Sequence, residues 1–252
     1  MDTVIKVMDL DVNIIDMDTL GKRVERYLES EQPNMLVLAT SQLFIEVAER
    51  EDLRTKLFTA DMIIPGEETF LTMYPTDELE HTKKVILNYN TLSELLIYLN
   101  KSHYTMYVVS RNEKELQIIT DFLEYSSYNI SVVGGRIRAD MEDERIINEI
   151  NGLAPDVLLV DLDTPLQELW MMEHKTKVNT KLCIGLGGIL QQMIIGHGKI
   201  PAFLYTLHLD RIYKKIVLEH DWMKKKQREK FKKKAMEYKE KKNENCKIEE
   251  NQ

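Results

Sequence analysis

The sequence predicts an α/β protein with a mostly parallel, Rossmann-like sheet that carries helices on both faces. Short apolar runs rich in β-branched residues recur along the chain, as in strands that are buried on both sides of a parallel sheet. Segments with helical periodicity alternate with these runs, and no internal repeat interrupts the alternation. At 252 residues the chain can bury a substantial core. We expect the α/β domain to span residues 1–199.

The individual elements follow from periodicity and from capping residues. Residues 4–15 alternate apolar and polar side chains, which predicts one or two strands or a hairpin. A helix follows to about residue 31, with Asp18 or Thr19 as its N-cap. The later predicted strands are 35–39, 61–65, 105–109, 130–133, 157–160 and 182–184, and the predicted helices are 41–49, one that begins at Gly66, 91–100, 113–125, 142–150 and one that begins near Thr164.

Two neighbouring strand ends form the unit around which the sequence is organised. The strand 157–160 ends in a polar bend at residues 161–164, and the strand 182–184 runs into a glycine-rich turn. The glycines of this turn are Gly185, Gly187 and Gly188. Glycine permits close backbone approach, and open parallel sheets bind ligands beyond the carboxyl ends of their strands. The sequence therefore predicts a ligand crevice between these two strand ends.

The first turn of the helix between these strands allows two interpretations. Thr164 is suited to the N-cap and Pro165 to the first turn, and Gln167 could return to the Thr164 amide as a capping box. Alternatively, Gln167 and Glu168 point into the crevice and contact a ligand. The residue spacing alone favours capping and does not exclude the second interpretation.

Composition excludes several other classes of protein. The two cysteines, Cys183 and Cys246, offer neither a disulfide framework nor a metal pair, which indicates a reducing cytoplasm. No signal peptide and no apolar run of about 20 residues is visible. The six histidines lack metal-ligand spacing, and for Asp161 and Asp163 we favour capping and loop solvation over metal binding. Gly134-Gly135 is interpreted as a simple turn after a strand.

The charge is distributed very unevenly. Residues 211–242 hold 14 Lys or Arg against 5 Asp or Glu, whereas residues 1–210 carry a net charge of −15. We expect residues 200–242 to form a basic helical appendage and residues 243–252 a disordered tail. In the basic appendage Met223, Phe231, Ala235 and Tyr238 fall at helical spacings beside Trp222. Three roles stay open for such a segment: a solvated helix, a helix on an anionic membrane, or a nucleic-acid contact without any recognition module.

A series of short motifs runs along the chain in a fixed order. They are Ala60-Asp61-Met62-Ile63-Ile64-Pro65, Thr164-Pro165-Leu166-Gln167-Glu168-Leu169-Trp170, Ile184-Gly185-Leu186-Gly187-Gly188, Pro201 and Leu209-Asp210. In type and order these motifs resemble the bacterial glycosyltransferase family that includes TagA, WecG and CpsF, and the resemblance covers residues 4 to 218.

The resemblance implies a metal-independent, inverting transferase without a cofactor. It would move N-acetylmannosamine or a related N-acetylhexosamine from a UDP-sugar to an undecaprenyl-diphosphate-linked sugar, in teichoic acid or surface polysaccharide synthesis. The enzyme would be cytoplasmic and peripheral at the inner face of the plasma membrane, with residues 211–242 on the anionic surface. A homo-oligomer is compatible with the sequence, and no nucleic-acid partner is expected.

The chain departs from the family pattern where chemistry is implied. Gly66 stands where the family has the Asp proposed as general base, so Glu67 is our candidate for the substitute base. Asp163 replaces a family glycine and adds a negative charge near the implied diphosphate. Other differences are Ser41 for Asn, Lys83 and Lys84 near a family Arg, Lys199 for Arg, and Arg211 for Trp.

These residues define the candidate site and an alternative function. The expected substrate- or nucleotide-binding residues are Ser41, Gly66, Lys84, Gln167, Glu168, Gly185, Gly187, Gly188, Lys199 and Asp210, and no metal ligands are expected. Because the implied base has been replaced, the alternative is a catalytically degenerate member that acts as a UDP-binding or scaffolding subunit.

Overall fold

The computed structural model describes residues 3–67, 90–101, 103–125, 130–138, 142–190 and 225–240. The first half of the chain forms strands β1 (Thr3–Val7) and β2 (Leu10–Ile14), helix α1 (Met17–Leu28), strand β3 (Asn34–Ala39), helices α2 (Ser41–Glu49) and α3 (Glu51–Leu57), and strand β4 (Met62–Pro65). The second half forms helix α4 (Asn90–Lys101), strand β5 (Met106–Ser110), helix α5 (Glu113–Tyr125), strand β6 (Val132–Ile137), helix α6 (Asp143–Leu153), strand β7 (Val157–Asp161), helix α7 (Leu166–His174), strand β8 (Leu182–Gly185) and helix α8 (residues 225–240).

Six of the strands form one parallel sheet in the order β4-β3-β8-β7-β5-β6. β1 and β2 form a separate antiparallel hairpin whose turn residues, Met8 and Asp9, both have positive φ angles. This pair of positive φ angles is typical of the two-residue turns that match strand twist. The predicted Rossmann-like α/β class is therefore confirmed.

Helices cover both faces of the sheet because alternate strand residues point to opposite sides. In β3, Met35 and Val37 join one apolar cluster, whereas Leu36 and Leu38 join the other. The first cluster also holds the apolar faces of α2, α3, α6, α7 and α8, and the second holds those of α1, α4 and α5. The helices that follow the adjacent strands β5 and β7 thus lie on opposite faces, which creates a topological switch point between these strands.

Helix α8 packs against the body of the protein through its apolar face. Phe231 and Ala235 are fully buried in the first cluster, and the rings of Phe231 and Phe44 are 6.1 Å apart. The Tyr238 hydroxyl accepts a hydrogen bond from Arg54 Nη1 at 2.9 Å and donates one to Asp9. Lys234 pairs with Glu49 at 3.0 Å. This apolar face is therefore occupied by protein, and what α8 presents outward is its lysine-rich side.

Several local predictions differ from what the structure describes. Asp16, rather than Asp18 or Thr19, caps α1 by accepting the Thr19 amide hydrogen at 2.8 Å. Gly66 and Glu67 form a bend, and the rest of the helix predicted to begin there lies outside the described residues. Gly134 and Gly135 lie inside β6 and not in a turn, because Tyr107 and Leu116 occupy the space beside them.

The remaining predictions for the terminal region fall mostly outside the described residues. The helix pair expected at 200–217 and the disordered tail at 243–252 lie outside them, and so does the start of the basic segment. Within the part of the chain that the structure describes, no helix combines the length and apolar character needed to cross a bilayer.

Candidate active site

The carboxyl ends of the central strands meet at one edge of the sheet. Register pairs align Ala39 with Pro65, and Ser110 with Asp161, at the ends of their strands. Gly185 of β8 lies opposite Val160 of β7. The residues that the sequence predicts for the site therefore leave the sheet at the same edge, as parallel strands require.

Glu67, the predicted substitute base, lies at this edge and contacts the start of α2. The Ser41 hydroxyl donates to Glu67 Oε2 at 2.6 Å, and the Ser41 amide donates to the same oxygen at 3.3 Å. A carboxylate is favourable there because helix N-termini carry partial positive charge. Ser41 is buried and Glu67 is partly exposed, so the carboxylate can still meet a ligand. The structure thus brings together two of the predicted site residues.

Gly66 occupies a position with no room for a side chain. A Cβ atom built there would lie 2.1 Å from Ile189 Cδ1 and 2.9 Å from the Ala39 carbonyl oxygen. The Gly66 amide also donates to that carbonyl at 2.8 Å, which fixes the backbone. An aspartate at this position would have to displace the backbone of β3 or the Ile189 side chain.

Replacing Gly66 by alanine is expected to lower the free energy of unfolding by about 1–3 kcal/mol, because the added methyl group overpacks the strand end. The same substitution at Gly21, in helix α1 with no atom within 4 Å of the new Cβ, is expected to raise it by up to about 1 kcal/mol. Urea denaturation of both variants measures the difference. Equal stability changes at the two glycines would contradict the packing at Gly66.

Gln167 connects helix α7 to the glycine turn after β8. Its Oε1 accepts the Gly187 amide hydrogen at 3.0 Å, and its Nε2 donates to Glu168 Oε1 at 2.9 Å. The capping box predicted at Thr164 is therefore wrong: α7 begins at Leu166 with Pro165 at its N-cap, and no side chain caps it. The Thr164 hydroxyl instead donates to Glu168 at 3.3 Å. The Gln167 side chain points toward the glycine turn after β8 because the Gly187 amide there donates a hydrogen bond to it.

The glycine turn is shaped by close packing. A Cβ atom at Gly185 would lie 2.7 Å from Met171 Sδ and 2.9 Å from Gln167 Nε2. Gly187 has a φ of +57°, which favours glycine, and faces Thr40, while no described residue lies within 4 Å of a Cβ position at Gly188. The close approach predicted for Gly185 and Gly187 is thus an approach of the protein's own side chains.

Glu168 is a fully buried carboxyl group at this edge. Burial raises its pKa to about 7, despite the hydrogen bonds from Gln167 and Thr164 that lower it, and the charge of Glu46 adds to the rise. Its Oε2 has no hydrogen-bond partner among the described residues. Gln167 and Glu168 are both buried, so they fix the loops around the crevice rather than lining an open surface.

The raised pKa of Glu168 makes stability depend on pH. The folded protein holds the proton up to about pH 7, whereas the unfolded chain releases it near the ordinary glutamate pKa of 4.5. Stability from this group is therefore complete below pH 4.5 and falls by about 3 kcal/mol as the pH rises to 7. Glu168→Gln should remove this dependence, so that the variant becomes more stable than the parent at pH 8.

The comparison is made by chemical denaturation at several pH values between 4.5 and 8. Glu173→Gln, on the exposed side of the same helix, is the matched control and should follow the parent. If the free energy of unfolding varied with pH in the same way for the parent and for Glu168→Gln, the burial of Glu168 and its raised pKa would be contradicted.

Arg111, which follows β5, was missed by the sequence analysis. Its Nη1 donates to Asp163 Oδ1 at 2.6 Å and its Nε to Glu115 Oε2 at 2.7 Å. Burial opposes the charge of Arg111, but Asp161, Glu115 and Asp163 together raise its pKa. The predicted solvation of Asp163 is thus only half correct, because this exposed carboxylate is ion-paired, and Asp161 is buried in the last position of β7. The sequence did contain a signal for this ion pair. Arg111 follows one predicted strand and Asp163 follows another, so both residues leave the sheet at its carboxyl edge.

The other predicted site residues cannot be placed. Lys84, Lys199 and Asp210 lie outside the described residues, as do Lys83 and Arg211. Within the described ranges, no group of three or more His, Cys, Asp or Glu side chains could hold a metal ion.

A parallel six-stranded sheet with buried polar side chains and a glycine turn at its carboxyl edge defines a Rossmann-like protein, and this is the edge at which such sheets bind ligands. The model of the glycosyl transferase WecG/TagA/CpsF family matches residues 5–217. The chain therefore belongs to this family.

Curated relatives are more distant and cover less of the chain. The N-acetylglucosaminyldiphosphoundecaprenol N-acetyl-beta-D-mannosaminyltransferases of Staphylococcus aureus strains MRSA252 and NCTC 8325 / PS 47 are each 24% identical over 131 residues. The match covers 52% of this chain and 50% of each relative. The chain thus spans about half the length of the curated relatives that it matches.

Proposed function

We propose that this protein is a UDP-sugar-dependent hexosyltransferase. It transfers N-acetylmannosamine or a related N-acetylhexosamine to an undecaprenyl-diphosphate-linked sugar. The observation that carries this proposal is the family match over residues 5–217, and the names of the Staphylococcus aureus relatives support the sugar and the acceptor. The crevice at the carboxyl edge supports it physically, because such edges bind nucleotides in parallel α/β sheets.

In the proposed reaction Glu67 is the general base. Its carboxylate accepts the proton of the acceptor hydroxyl, the resulting oxygen attacks the anomeric carbon of the donor, and UDP leaves from the opposite face with inversion. Ser41 holds the Glu67 carboxylate at 2.6 Å, and the same carboxylate is partly exposed. A general base must lie within hydrogen-bond reach of the proton that it removes, which the edge position of Glu67 permits.

The remaining rate enhancement comes from positioning the two substrates. Gln167 holds the turn at Gly187, and Gly188, beside which no described side chain packs, offers its backbone to the donor. No cofactor takes part, and the leaving diphosphate is neutralised by protein cations. Positioning and electrostatic stabilisation can supply most of the acceleration in group-transfer reactions of this kind.

The protein works at an anionic membrane surface, where its lipid-linked acceptor resides. Helix α8 supports this part of the proposal, because its buried apolar face leaves a lysine-rich side exposed. The exposed cations of the described helix are Lys225, Lys226, Arg228, Lys230, Lys232, Lys233 and Lys239. Each cation near an anionic bilayer contributes about 1 kcal/mol of attraction. The contact between α8 and the membrane would be electrostatic, because Phe231 is buried in the protein core and is not exposed to lipid.

A second candidate function is a nucleotide-binding or scaffolding subunit without turnover. The observation that favours it is the Gly66 position, which has no space for the family's aspartate, together with the bonding of Glu67 to Ser41. In this reading the Glu67 carboxylate serves only as a cap on α2.

Two measurements separate the candidates. The first is transfer of radiolabelled sugar from UDP-N-acetylmannosamine to an undecaprenyl-diphosphate-linked N-acetylglucosamine in anionic vesicles. The second is calorimetric titration with UDP and with the UDP-sugar. Turnover supports the transferase, and binding without turnover across several UDP-sugars supports the subunit. Absence of both turnover and binding would overturn the proposal.

A further inference from the structure

The switch point between β5 and β7 holds polar side chains to which the proposed mechanism assigns no role. Ser110 ends β5 and lies opposite Asp161, which ends β7. Arg111 and Asp163 follow these two strands and pair across the gap at 2.6 Å. Helices α5 and α7 leave on opposite faces here, so the crevice of the sheet opens at this point.

The charges at this point disfavour a phosphate group. One guanidinium, that of Arg111, interacts with three carboxylates: Asp161, Glu115 and Asp163. With all three ionised, the cluster carries a net charge of −2, which repels a diphosphate. Ionised carboxylates only accept hydrogen bonds, so the ligand groups that fit are hydroxyl donors.

Asp163 is the member of the cluster that a ligand can reach. Its side chain is 72% exposed, whereas that of Arg111 is 28% exposed. The Arg111 bond engages Oδ1, and the carboxylate has further lone pairs that can accept hydrogen bonds. Arg111 is itself held by Glu115 at 2.7 Å, so the pair fixes the direction of the Asp163 carboxylate.

Ser110 provides an independent sign of a missing partner. Its side chain is fully buried at the end of β5, and its Oγ has no hydrogen-bond partner among the described residues. Buried hydroxyl groups are normally paired, so the Ser110 hydroxyl at this strand end is open to a polar partner that the described residues do not supply.

We propose that Asp163, oriented by Arg111, is a subsite for vicinal hydroxyl groups of the donor nucleotide sugar. This inference rests on the proposed function and adds the part of the substrate that the chain recognises. The carboxylate accepts hydrogen bonds from adjacent hydroxyls of the ribose or of the transferred sugar, and Arg111 is a positioning residue. The diphosphate lies away from this cluster.

The test is calorimetric titration of the full chain and of Asp163→Ala with three ligands. These are UDP, 2′,3′-dideoxyuridine diphosphate, which lacks both ribose hydroxyls, and UDP-N-acetylmannosamine. If the ribose is recognised, the variant binds UDP about tenfold or more weakly, as for the loss of a hydrogen bond to a charged group. Its affinity for the dideoxy nucleotide stays that of the parent.

If the transferred sugar is recognised, the result differs in a defined way. Asp163→Ala then binds UDP like the parent and loses about tenfold only for UDP-N-acetylmannosamine. Glu113→Gln, an exposed carboxylate in the first turn of α5, is the control for removal of one negative charge and leaves all three affinities unchanged.

The role of Arg111 is tested by non-additivity. Arg111→Gln releases the Asp163 carboxylate, so the single variant loses affinity for the same ligand as Asp163→Ala. Adding Asp163→Ala to the Arg111→Gln variant then lowers the affinity for that ligand by a much smaller factor than it does in the parent. Fully additive losses would overturn the positioning role of Arg111.

Other outcomes overturn the inference and separate it from the proposed function. Tighter UDP binding by Asp163→Ala would mean that Asp163 faces the diphosphate. Unchanged affinity for all three ligands, or an equal loss for all three, would remove the hydroxyl subsite while leaving the proposed function intact. If the parent protein bound none of the three ligands, the proposed function and this inference would both fall.

Discussion

Replacing Glu67 by glutamine is expected to lower kcat for sugar transfer by about 10²–10⁴-fold, the range for loss of a general base. Glutamine keeps the size of the side chain and can still accept the Ser41 hydroxyl hydrogen bond, but it cannot take up the proton of the acceptor. KM for the UDP-sugar is expected to change little, because the substitution leaves the packing of the strand end intact. Steady-state kinetics with the radiolabelled donor measure both constants.

The matched control is Glu51→Gln, since Glu51 is 85% exposed and lies at the start of α3. It should leave kcat unchanged. Ser41→Ala provides a second comparison, because it frees the Glu67 carboxylate from its closest partner. If Glu67→Gln kept the kcat of the parent, Glu67 would not be the general base. The base would then have to be sought among residues outside the described ranges.

Replacing Phe231 by alanine is expected to lower the free energy of unfolding by about 3–5 kcal/mol, as for truncation of a buried aromatic residue. Phe231 has no exposed surface and contacts Phe44, which lies in the first turn of α2 close to Ser41. The loss should therefore loosen both α8 and the start of α2. Urea denaturation of the full chain measures the change.

Met236→Ala is the control for truncation of an apolar residue on the same helix, because Met236 is 60% exposed. It should change stability by less than about 0.5 kcal/mol. If Phe231→Ala proved as stable as Met236→Ala, α8 would not be part of the folded core. Its aromatic face would then be free for lipid.

The regular elements were predictable because their local patterns are strong. The helix at Glu113–Tyr125 and the helix at Ser41–Glu49 match the predicted bounds, and the strand that begins at Val157 matches to within one residue. The short helix Glu51–Leu57 was not predicted, since seven residues give too little periodicity. β6 was placed too early because glycines usually indicate a turn, whereas here Tyr107 fills the space beside Gly134.

The site was predictable in outline and not in its contacts. The sequence placed the loops after β7 and β8 side by side, and the Gln167–Gly187 hydrogen bond confirms that they meet. It could not reveal that Glu168 is buried with a pKa of about 7, because burial depends on the helices that cover it. Nor could it pair Arg111 with Asp163, which are 52 residues apart in the chain and adjacent only in the sheet.

The α/β class, most of the strands and helices, and the family were predictable from the amino-acid sequence alone. They depend on local periodicity and on the order of short motifs, which are properties of the chain before it folds. Which polar groups are paired, buried or exposed depends on the three-dimensional fold. Those properties arise from strand order, which sets Asp163 beside Arg111, Glu67 beside Ser41 and the aromatic face of α8 against α2.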